Sequence, residues 1–315
     1  NNIIQAAEEK LKTDIVDYLH RNIAVTLGDA VSFKLPFHAA SWSVGVSEAG
    51  QIYVAEQYGR RVLALQVSAS DWKEMWRHEL PRYISDSSPF MAGSAPDTAT
   101  STPALCLMQD SRDSPTLAMD HSGHVVSETR REGVLMGSIA SGRAVYKRGD
   151  DGRGYEIAVW DGAECVIFQS PPDQKWSRDL SVCGSGARLA VVDGYSRRGT
   201  LDIFRNQTHA ARVKLEYSAG YFNAVCCSDT HLFLYEYWSR AVRIHSWEGT
   251  PTQELQWPRP RDGHVIMGIQ YMARGRRLLT AWGPGLGAVH HLDSAKVHLQ
   301  YSPETNDGTD INTND

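Results

Sequence analysis

A strand–turn–strand pattern that recurs along the chain is the feature that most restricts its fold. In each copy a short run of β-branched, aliphatic or aromatic residues leads through a tight turn to a second such run, and a third run follows. The turns hold Gly, Asp or Ser, which adopt positive φ or bond the local backbone with their side chains. The first runs of two copies are residues 117–119 and 144–146. The second runs end at Glu56, Glu128, Asp161, Asp193, Glu236 and Trp282.

The spacing of these copies predicts the architecture. Successive second strands end 72, 33, 32, 43 and 46 residues apart, and all but the first spacing are close to the period of a propeller blade. A single blade cannot bury both of its faces, so such units stack around an axis. The sequence therefore predicts an all-β, six-bladed β-propeller over residues 29–302. We expect the ring to close by pairing of residues 30–35 with the last blade near residues 297–299.

Three segments differ in character from the repeats. Residues 1–28 include an apolar stripe at helical spacing, which predicts a short N-terminal amphipathic helix. This helix is either a cap on the propeller or the end of a coiled coil, and the second alternative would allow self-association. Residues 85–115, rich in Ser, Thr, Ala, Asp and Pro, predict a mobile insertion that explains the long first spacing. Residues 303–315 predict a disordered acidic tail.

Composition limits the classes of function and location. The chain of 315 residues is 42% hydrophobic and 22% charged, which is typical of a folded globular protein. Its net charge of −5 argues against a surface that grips nucleic acid throughout. The sequence lacks an apolar run of the ~18 residues that a membrane span needs. Five cysteines without CxxC spacing favour a reducing, cytoplasmic location; a processed secreted protein stays open as the alternative.

The first repeat also carries a resemblance to a known family. The stretch from Val44 to Val62, which includes the sequence Ile-Tyr-Val-Ala-Glu-Gln-Tyr-Gly-Arg-Arg-Val, resembles an NHL repeat. The resemblance covers roughly residues 40–293, and the first copy is the close match. NHL propellers occur as the substrate- or RNA-recognition end of tripartite-motif ubiquitin ligases. The resemblance thus implies a recognition module, with any ligase activity located outside this chain, whose cysteines form no RING or B-box cluster.

Aromatic and arginine residues recur in the segments that follow the second strands, which emerge on one face of a propeller. Such side chains anchor peptides, stack on bases, and pair with carboxylate or phosphate groups. We therefore predict that this face binds a protein or peptide, with single-stranded RNA as the alternative ligand. The predicted binding residues are Tyr58, Arg60, Arg61, Arg130, Arg131, Tyr195, Arg197, Arg198, Tyr237, Trp238 and Arg240.

A structural role for the first arginine of each motif is the competing interpretation. The acidic residue at each strand end and the arginine four residues later would then form an ion pair within the blade, worth about 0–1 kcal/mol if exposed. The candidate pairs are Glu56 with Arg60, Asp193 with Arg197, and Glu236 with Arg240.

Enzyme signatures do not stand out, and the sequence favours a non-enzymatic role without cofactor or metal. It contains no HExxH, GxSxG, P-loop or GxGxxG motif ahead of a helix. Strand alternation does not direct His121 and His124, or His290 and His291 with Asp293, at a common metal ion. A metal-dependent propeller hydrolase or lyase stays open as a second alternative, because its ligands would come from several blades.

Overall fold

The protein is represented by a computed structural model. Its description covers most of the chain between Val25 and Ser294. The described residues are 25–34, 42–46, 51–56, 60–68, 71–79, 90–93, 106–109, 114–120, 122–139, 143–150, 153–161, 164–172, 175–177, 179–194, 199–216, 225–236, 241–256, 266–272, 276–282 and 286–294.

The described residues form 24 strands in six antiparallel sheets of four strands each. The first strand, β1 (Val25–Lys34), belongs to the last sheet. Blade 1 contains β2 (Trp42–Val46), β3 (Gln51–Glu56), β4 (Arg61–Val67) and β5 (Trp72–Glu79). Blade 2 contains β6 (Phe90–Gly93), β7 (Cys106–Gln109), β8 (Thr116–Met119) and β9 (Val125–Thr129). Blade 3 contains β10 (Val134–Ile139), β11 (Arg143–Asp150), β12 (Gly154–Asp161) and β13 (Glu164–Gln169).

The second half of the chain repeats the same meander. Blade 4 contains β14 (Leu180–Ser185), β15 (Arg188–Asp193), β16 (Thr200–Arg205) and β17 (Thr208–Lys214). Blade 5 contains β18 (Val225–Cys227), β19 (His231–Tyr235), β20 (Ala241–Ser246) and β21 (Pro251–Gln256). Blade 6 contains β22 (Ile266–Met272), β23 (Arg277–Trp282) and β24 (Leu286–Ser294), and β1 is its outermost strand.

The first strands of the blades contact one another in a closed ring. The order of contact is β2, β6, β10, β14, β18, β22 and back to β2. The prediction of an all-β propeller is therefore confirmed. The segments predicted as an N-terminal helix over residues 3–22 and as an acidic tail lie outside the described residues. Within the described part of the chain, no helix has the length and apolar character needed to cross a membrane.

An N-terminal strand closes the ring, as predicted, but its partner is different. β1 pairs along β24, with Val25 opposite Ser294 and Lys34 opposite Leu286. The predicted partner near residues 297–299 is thus wrong: the paired strand is Leu286–Ser294. Because β1 begins at Val25, the predicted domain start at residue 29 also cuts this strand. The pairing shifts register between Leu27 and Ala30, and an irregularity of this kind interrupts the regular ladder of a strand.

The predicted insertion at residues 85–115 contains blade structure. Phe90–Gly93 and Cys106–Gln109 are β6 and β7, the two innermost strands of blade 2. They are only four residues long and are separated by polar sequence, so their pattern is too short to identify as a repeat. The prediction that this whole segment is a mobile surface loop is therefore wrong for these eight residues, and the others lie outside the described part, apart from Ser114 and Pro115.

The sequence prediction overlooked β6 and β7. The strands that follow them were therefore assigned to positions one or two too early within blades 2 and 3. Residues 117–119 and 125–128, predicted as first and second strands, are the third and fourth. Residues 144–146 are likewise a second strand and not a first strand. A strand–turn–strand pair does not reveal its position in a meander, because every neighbouring pair is antiparallel. Blades 1, 4, 5 and 6 have the predicted order of strands.

The core lies between neighbouring blades, and two glutamine side chains join blades through backbone groups. Gln109 accepts a hydrogen bond from the Leu135 amide at 2.7 Å and donates to the Gly133 carbonyl at 3.2 Å, which links blade 2 to blade 3. Gln253 accepts from the Val25 amide at 2.8 Å, which links blade 5 to the closing strand. These contacts satisfy backbone groups that no strand partner reaches.

Candidate recognition surface

In every blade, the connections between successive strands lie alternately at two opposite edges of the propeller. Because successive strands are antiparallel, the connection from the second to the third strand and the connection to the next blade share one edge. The turns between first and second strands and between third and fourth strands share the opposite edge. We call the first of these the recognition edge and the second the hairpin edge.

The structure describes four of the eleven predicted binding residues, and all four lie at the recognition edge. Arg60 and Arg61 stand at the start of β4, where the chain enters the third strand of blade 1. Arg130 and Arg131 follow β9, where the chain passes from blade 2 to blade 3. The displacement of strands in blade 2 therefore does not move this pair to the other edge, because both kinds of connection emerge there.

The other seven predicted residues lie outside the described residues. They are Tyr58, Tyr195, Arg197, Arg198, Tyr237, Trp238 and Arg240. The segments that contain them connect second to third strands in blades 1, 4 and 5.

Arg131 is turned into the interface between blades 2 and 3. Its guanidinium carbon lies 4.4 Å from the centre of the Trp160 ring and 6.0 Å from the centre of the Tyr146 ring. Cation–π contacts of this kind stabilise by about 0.5–2 kcal/mol. Tyr146 is itself buried and bonded to Thr116 at 2.8 Å, and burial raises the pKa of its phenol. Arg131 is thus half-buried, whereas Arg130 beside it is exposed.

Two of the acidic residues at the ends of second strands, Glu236 and Asp193, form hydrogen bonds with residues other than their predicted arginine partners. Glu236 accepts from Arg243 at 2.9 Å, and Arg243 also pairs with Glu254 on the outer strand. Asp193 accepts from the Ser177 amide at 2.7 Å. The Glu236 contacts thus lie within blade 5, and the Asp193 contact joins blade 4 to the segment that enters it.

Strand β9 adds a feature that the sequence analysis missed. All five of its residues are exposed, including Val125 and Val126, each with 39% of its surface accessible. The four other outer strands with described side chains in blades 1 and 3–5 each contain partly buried positions. The run Val-Val-Ser-Glu-Thr lacks apolar alternation, and this was the available signal that neither face of the strand packs on the core.

The innermost strands contain few groups able to bind a metal ion. The sequences of β2, β6, β10, β14, β18 and β22 contain no Asp, Glu or His. Among the described residues, no group of three or more His, Cys, Asp or Glu is placed to hold a metal ion. Cys183 and Cys226 are the buried thiols of these strands, and burial raises the pKa of each well above its usual value.

Two of the three histidines that are buried in the described part of the chain have a pKa lowered by burial. His245 is 3% exposed and donates from Nδ1 to the Gly249 carbonyl at 3.2 Å, and His290 is 5% exposed on β24. Burial lowers the pKa of both imidazoles below the ordinary value of 6.5. His291 is only half-buried, since adjacent residues of a strand point to opposite faces.

We expect these two histidines to make the fold less stable in mild acid. Because each folded-state pKa is below the unfolded value, the unfolded chain binds more protons as pH falls from 6.5, and the free energy of unfolding decreases. Urea denaturation at about pH 7.5 and 5.5 measures this loss, with at most about 1.4 kcal/mol per pH unit from each group. The double variant His245→Gln/His290→Gln should lose less stability over this interval than the parent protein. An unchanged slope in the double variant would contradict the assignment.

Comparisons with known proteins agree with the architecture. No protein-family model and no curated protein sequence matches the chain. A solved structure of streptogramin B lyase superposes with a TM-score of 0.52 at 11% identity, covering 85% of this chain and 98% of that one. A gluconolactonase from Xanthomonas campestris superposes with a TM-score of 0.55 at 15% identity, covering 85% of this chain and 91% of the other. At these identities the similarity concerns the fold, and the chain is an all-β propeller.

Proposed function

We propose that the propeller is a non-enzymatic recognition module that binds a protein or peptide partner at the recognition edge. The observation that carries the proposal is the position of Arg130. This exposed cation directly follows β9, an outer strand with exposed residues throughout.

An extended peptide can add to such a strand through main-chain hydrogen bonds, and its side chains can contact Val125 and Val126. An acidic residue of the peptide would then meet the Arg130 guanidinium, which pairs with carboxylates in a fixed geometry. The arginines of blade 1, Arg60 and Arg61, extend positive charge along the same edge. This arrangement suits an acidic partner although the chain itself has a net charge of −5.

The NHL resemblance of the first repeat supports a narrower form of this proposal. In that form the propeller selects substrates for a ubiquitin ligase whose catalytic part lies in another chain or segment. The seven predicted aromatic and arginine residues outside the described part would contribute to the same surface.

A metal-dependent hydrolase or lyase is the second candidate function. It is favoured by the fold that the chain shares with a streptogramin B lyase and a gluconolactonase. The composition of the innermost strands does not favour it, because their sequences contain none of the carboxylates or imidazoles that hold catalytic metal ions. Elemental analysis of the purified chain separates the two functions: a stoichiometric transition metal would favour the enzyme.

A capture experiment with matched surface variants tests the recognition role. The full chain serves as bait, with and without RNase, and the captured proteins and RNA are identified. The first variant is Arg130→Ala, and the second combines Arg61→Ala, Arg198→Ala and Trp238→Ala. Arg205→Ala is the control, because Arg205 is similarly exposed, with 46% of its side chain accessible, but lies at the hairpin edge.

We expect protein partners that survive RNase, with affinities reduced by Arg130→Ala and not by Arg205→Ala. Loss of one exposed anchor of about 1–2 kcal/mol corresponds to a five- to thirtyfold rise in Kd. Equal binding by both single variants and the triple variant would show that the surface is wrongly assigned. Enriched RNA, with partners lost after RNase and binding that falls steeply with salt, would replace the protein ligand by single-stranded RNA.

A further inference from the structure

A groove opens between blades 3 and 4 at the hairpin edge, opposite the recognition edge. Its volume is about 210 Å³. Its apolar walls come from both blades and are formed by Ile139, Val159, Val166, Phe168 and Leu189. The groove is therefore a separate feature from the surface proposed to bind a macromolecular partner.

Two short turns form the rim of the groove. Gly186 and Ala187 connect β14 to β15, and Asn206 and Gln207 connect β16 to β17. Asn206 and Gln207 have φ values of 46° and 67°, the backbone of a tight two-residue hairpin turn. A Cβ added at Gly186 would meet no atom within 4 Å, so this side of the entrance is open.

Arg143, the first residue of β11, supplies positive charge to the groove. Its Nη2 donates to the Gly186 carbonyl at 2.6 Å, which holds the guanidinium across the gap between the two blades. Its Nε is buried and has no hydrogen-bond acceptor among the described residues. Because a ligand in the groove cannot reach this buried Nε, the donors available to it are those of the Nη groups.

Within the described part of the chain, the groove has no carboxylate beside Arg143. None of its lining residues is acidic, and no ion pair joins Arg143 to another described residue. In the same two blades Arg148 pairs with Glu132 at 2.5 Å, and Arg212 pairs with Asp202 at 2.7 Å. Arg143 therefore differs from these neighbouring arginines, because it is half-buried and has no carboxylate partner among the described residues.

Arg188, the second arginine that lines the groove, directs its guanidinium toward blade 5 and away from the groove. Arg188 donates from Nη2 to the Asp229 carbonyl at 2.7 Å, and its guanidinium carbon lies 4.6 Å from the centre of the Trp247 ring. Both contacts belong to blade 5. Arg188 therefore contributes the alkyl part of its side chain to the groove, and Arg143 contributes the cation.

We propose that this groove binds a small monocarboxylic acid with an apolar tail. The carboxylate would accept hydrogen bonds from the Nη groups of the Arg143 guanidinium, and such charge-assisted bonds are strong. The tail would cover the five apolar side chains and remove them from water. An apolar cavity of about 150 Å³ binds benzene, so a groove of about 210 Å³ suits a tail of about six to eight carbons.

Calorimetric titration of the full chain with octanoate and with 3-phenylpropanoate tests the site. 1-Octanol is the matched ligand, with the same tail and no charge. Arg143→Met removes the guanidinium and keeps a linear apolar side chain, and Arg143→Lys keeps a positive charge. Arg188→Met is the matched variant within the lining, and Arg153→Met is a control at the opposite edge, where Arg153 is exposed. Circular dichroism and thermal melting confirm that each variant is folded.

We expect saturable binding of one acid per chain, at least tenfold tighter than that of 1-octanol. Arg143→Met should weaken binding at least tenfold, Arg143→Lys by less, and Arg188→Met and Arg153→Met by less than twofold. Equal affinity of folded Arg143→Met and the parent protein would overturn the proposal. It would also be overturned by equal binding of octanoate and 1-octanol, or by no binding of either acid up to about 10 mM, a concentration well above a Kd of 1 mM. Because the hairpin edge is distinct, these results leave the recognition proposal unaffected.

Discussion

Replacing Phe33 by alanine is expected to lower the free energy of unfolding by about 3–5 kcal/mol, the usual cost of removing a buried phenylalanine. Phe33 lies on the closing strand β1 and is only 3% exposed. It packs in one cluster with Val289 of blade 6 and with Ile52 and Leu65 of blade 1. The change therefore opens a cavity at the junction between the first and last blades.

Gly287 makes this junction closely packed. It lies opposite Phe33 in the pairing of β1 with β24, and a Cβ added to it would lie 2.2 Å from the Phe33 ring. The ring thus occupies the space that the missing side chain leaves. Because Gly287 has no side chain that could fill the space, the cavity left by Phe33→Ala should persist on this side, and the cost should lie at the upper end of the range.

Urea denaturation monitored by tryptophan fluorescence measures the effect. Ser32→Ala is the matched control on the same strand, because Ser32 is exposed, and it should shift the free energy of unfolding by no more than about 0.5 kcal/mol. Phe33→Leu should be intermediate. A Phe33→Ala variant as stable as Ser32→Ala would show that β1 does not close the ring in solution.

Replacing Asp202 by asparagine is expected to cost about 3–5 kcal/mol, because it removes one partner of a buried ion pair. The Asp202 side chain is fully buried and accepts from Arg212 Nε at 2.7 Å. It also accepts from the Trp176 indole at 2.7 Å and bonds the His209 ring at 3.0 Å. Asparagine keeps the shape of the side chain but leaves the largely buried Arg212 guanidinium without a carboxylate.

The pKa of Asp202 determines how the stability difference between the parent protein and Asp202→Asn changes in acid. Burial by itself would raise the pKa of Asp202, but hydrogen bonds from Arg212, Trp176 and His209 hold it below the ordinary value of 3.8. Because the folded-state pKa is the lower one, the carboxylate contributes its full stabilisation above the unfolded pKa and loses it as pH falls through the folded value. The difference between the parent protein and Asp202→Asn should therefore be constant near neutral pH and shrink below about pH 4.

The exposed pair in the same region provides the control. Arg205 and Glu248 lie 2.7 Å apart, with 46% and 51% of their side chains accessible, and such pairs contribute about 0–1 kcal/mol. Glu248→Gln should thus be nearly neutral in the denaturation assay. If Asp202→Asn cost no more than Glu248→Gln, the buried network would not be a stabilising element of blade 4.

Several elements of the fold could be predicted because they depend on local patterns. Residues 189–192 and 232–235 are continuous apolar runs after tight turns, and both lie in second strands as predicted. Phe90–Gly93 and Cys106–Gln109 are only four residues each, and their pairing joins residues that are well separated along the chain. Such short strands form because neighbouring blades provide the surfaces they pack against, and that information is absent from the local sequence.

Some features of the candidate site could likewise be predicted from the sequence, and others could not. The repeat placed Arg60, Arg61, Arg130 and Arg131 at one edge, since the direction of each strand follows from counting antiparallel turns. Arg130 and Arg131 are adjacent and chemically identical, yet one is exposed and the other lies over Trp160. The groove beside Arg143 was not predicted, because its walls come from strands of two blades.

The strand-rich character of the chain, the stacking of repeated units and the closure by an N-terminal strand could all be predicted from local sequence patterns. These properties follow from periodicity, turn residues and the need to bury both faces of each blade. The tertiary structure decided the position of each strand within blades 2 and 3, the partner of β1, and the burial of individual charges. The reason is physical: pairing and burial depend on the surface that a neighbouring blade presents, whereas alternation and turns depend on residues adjacent in the chain.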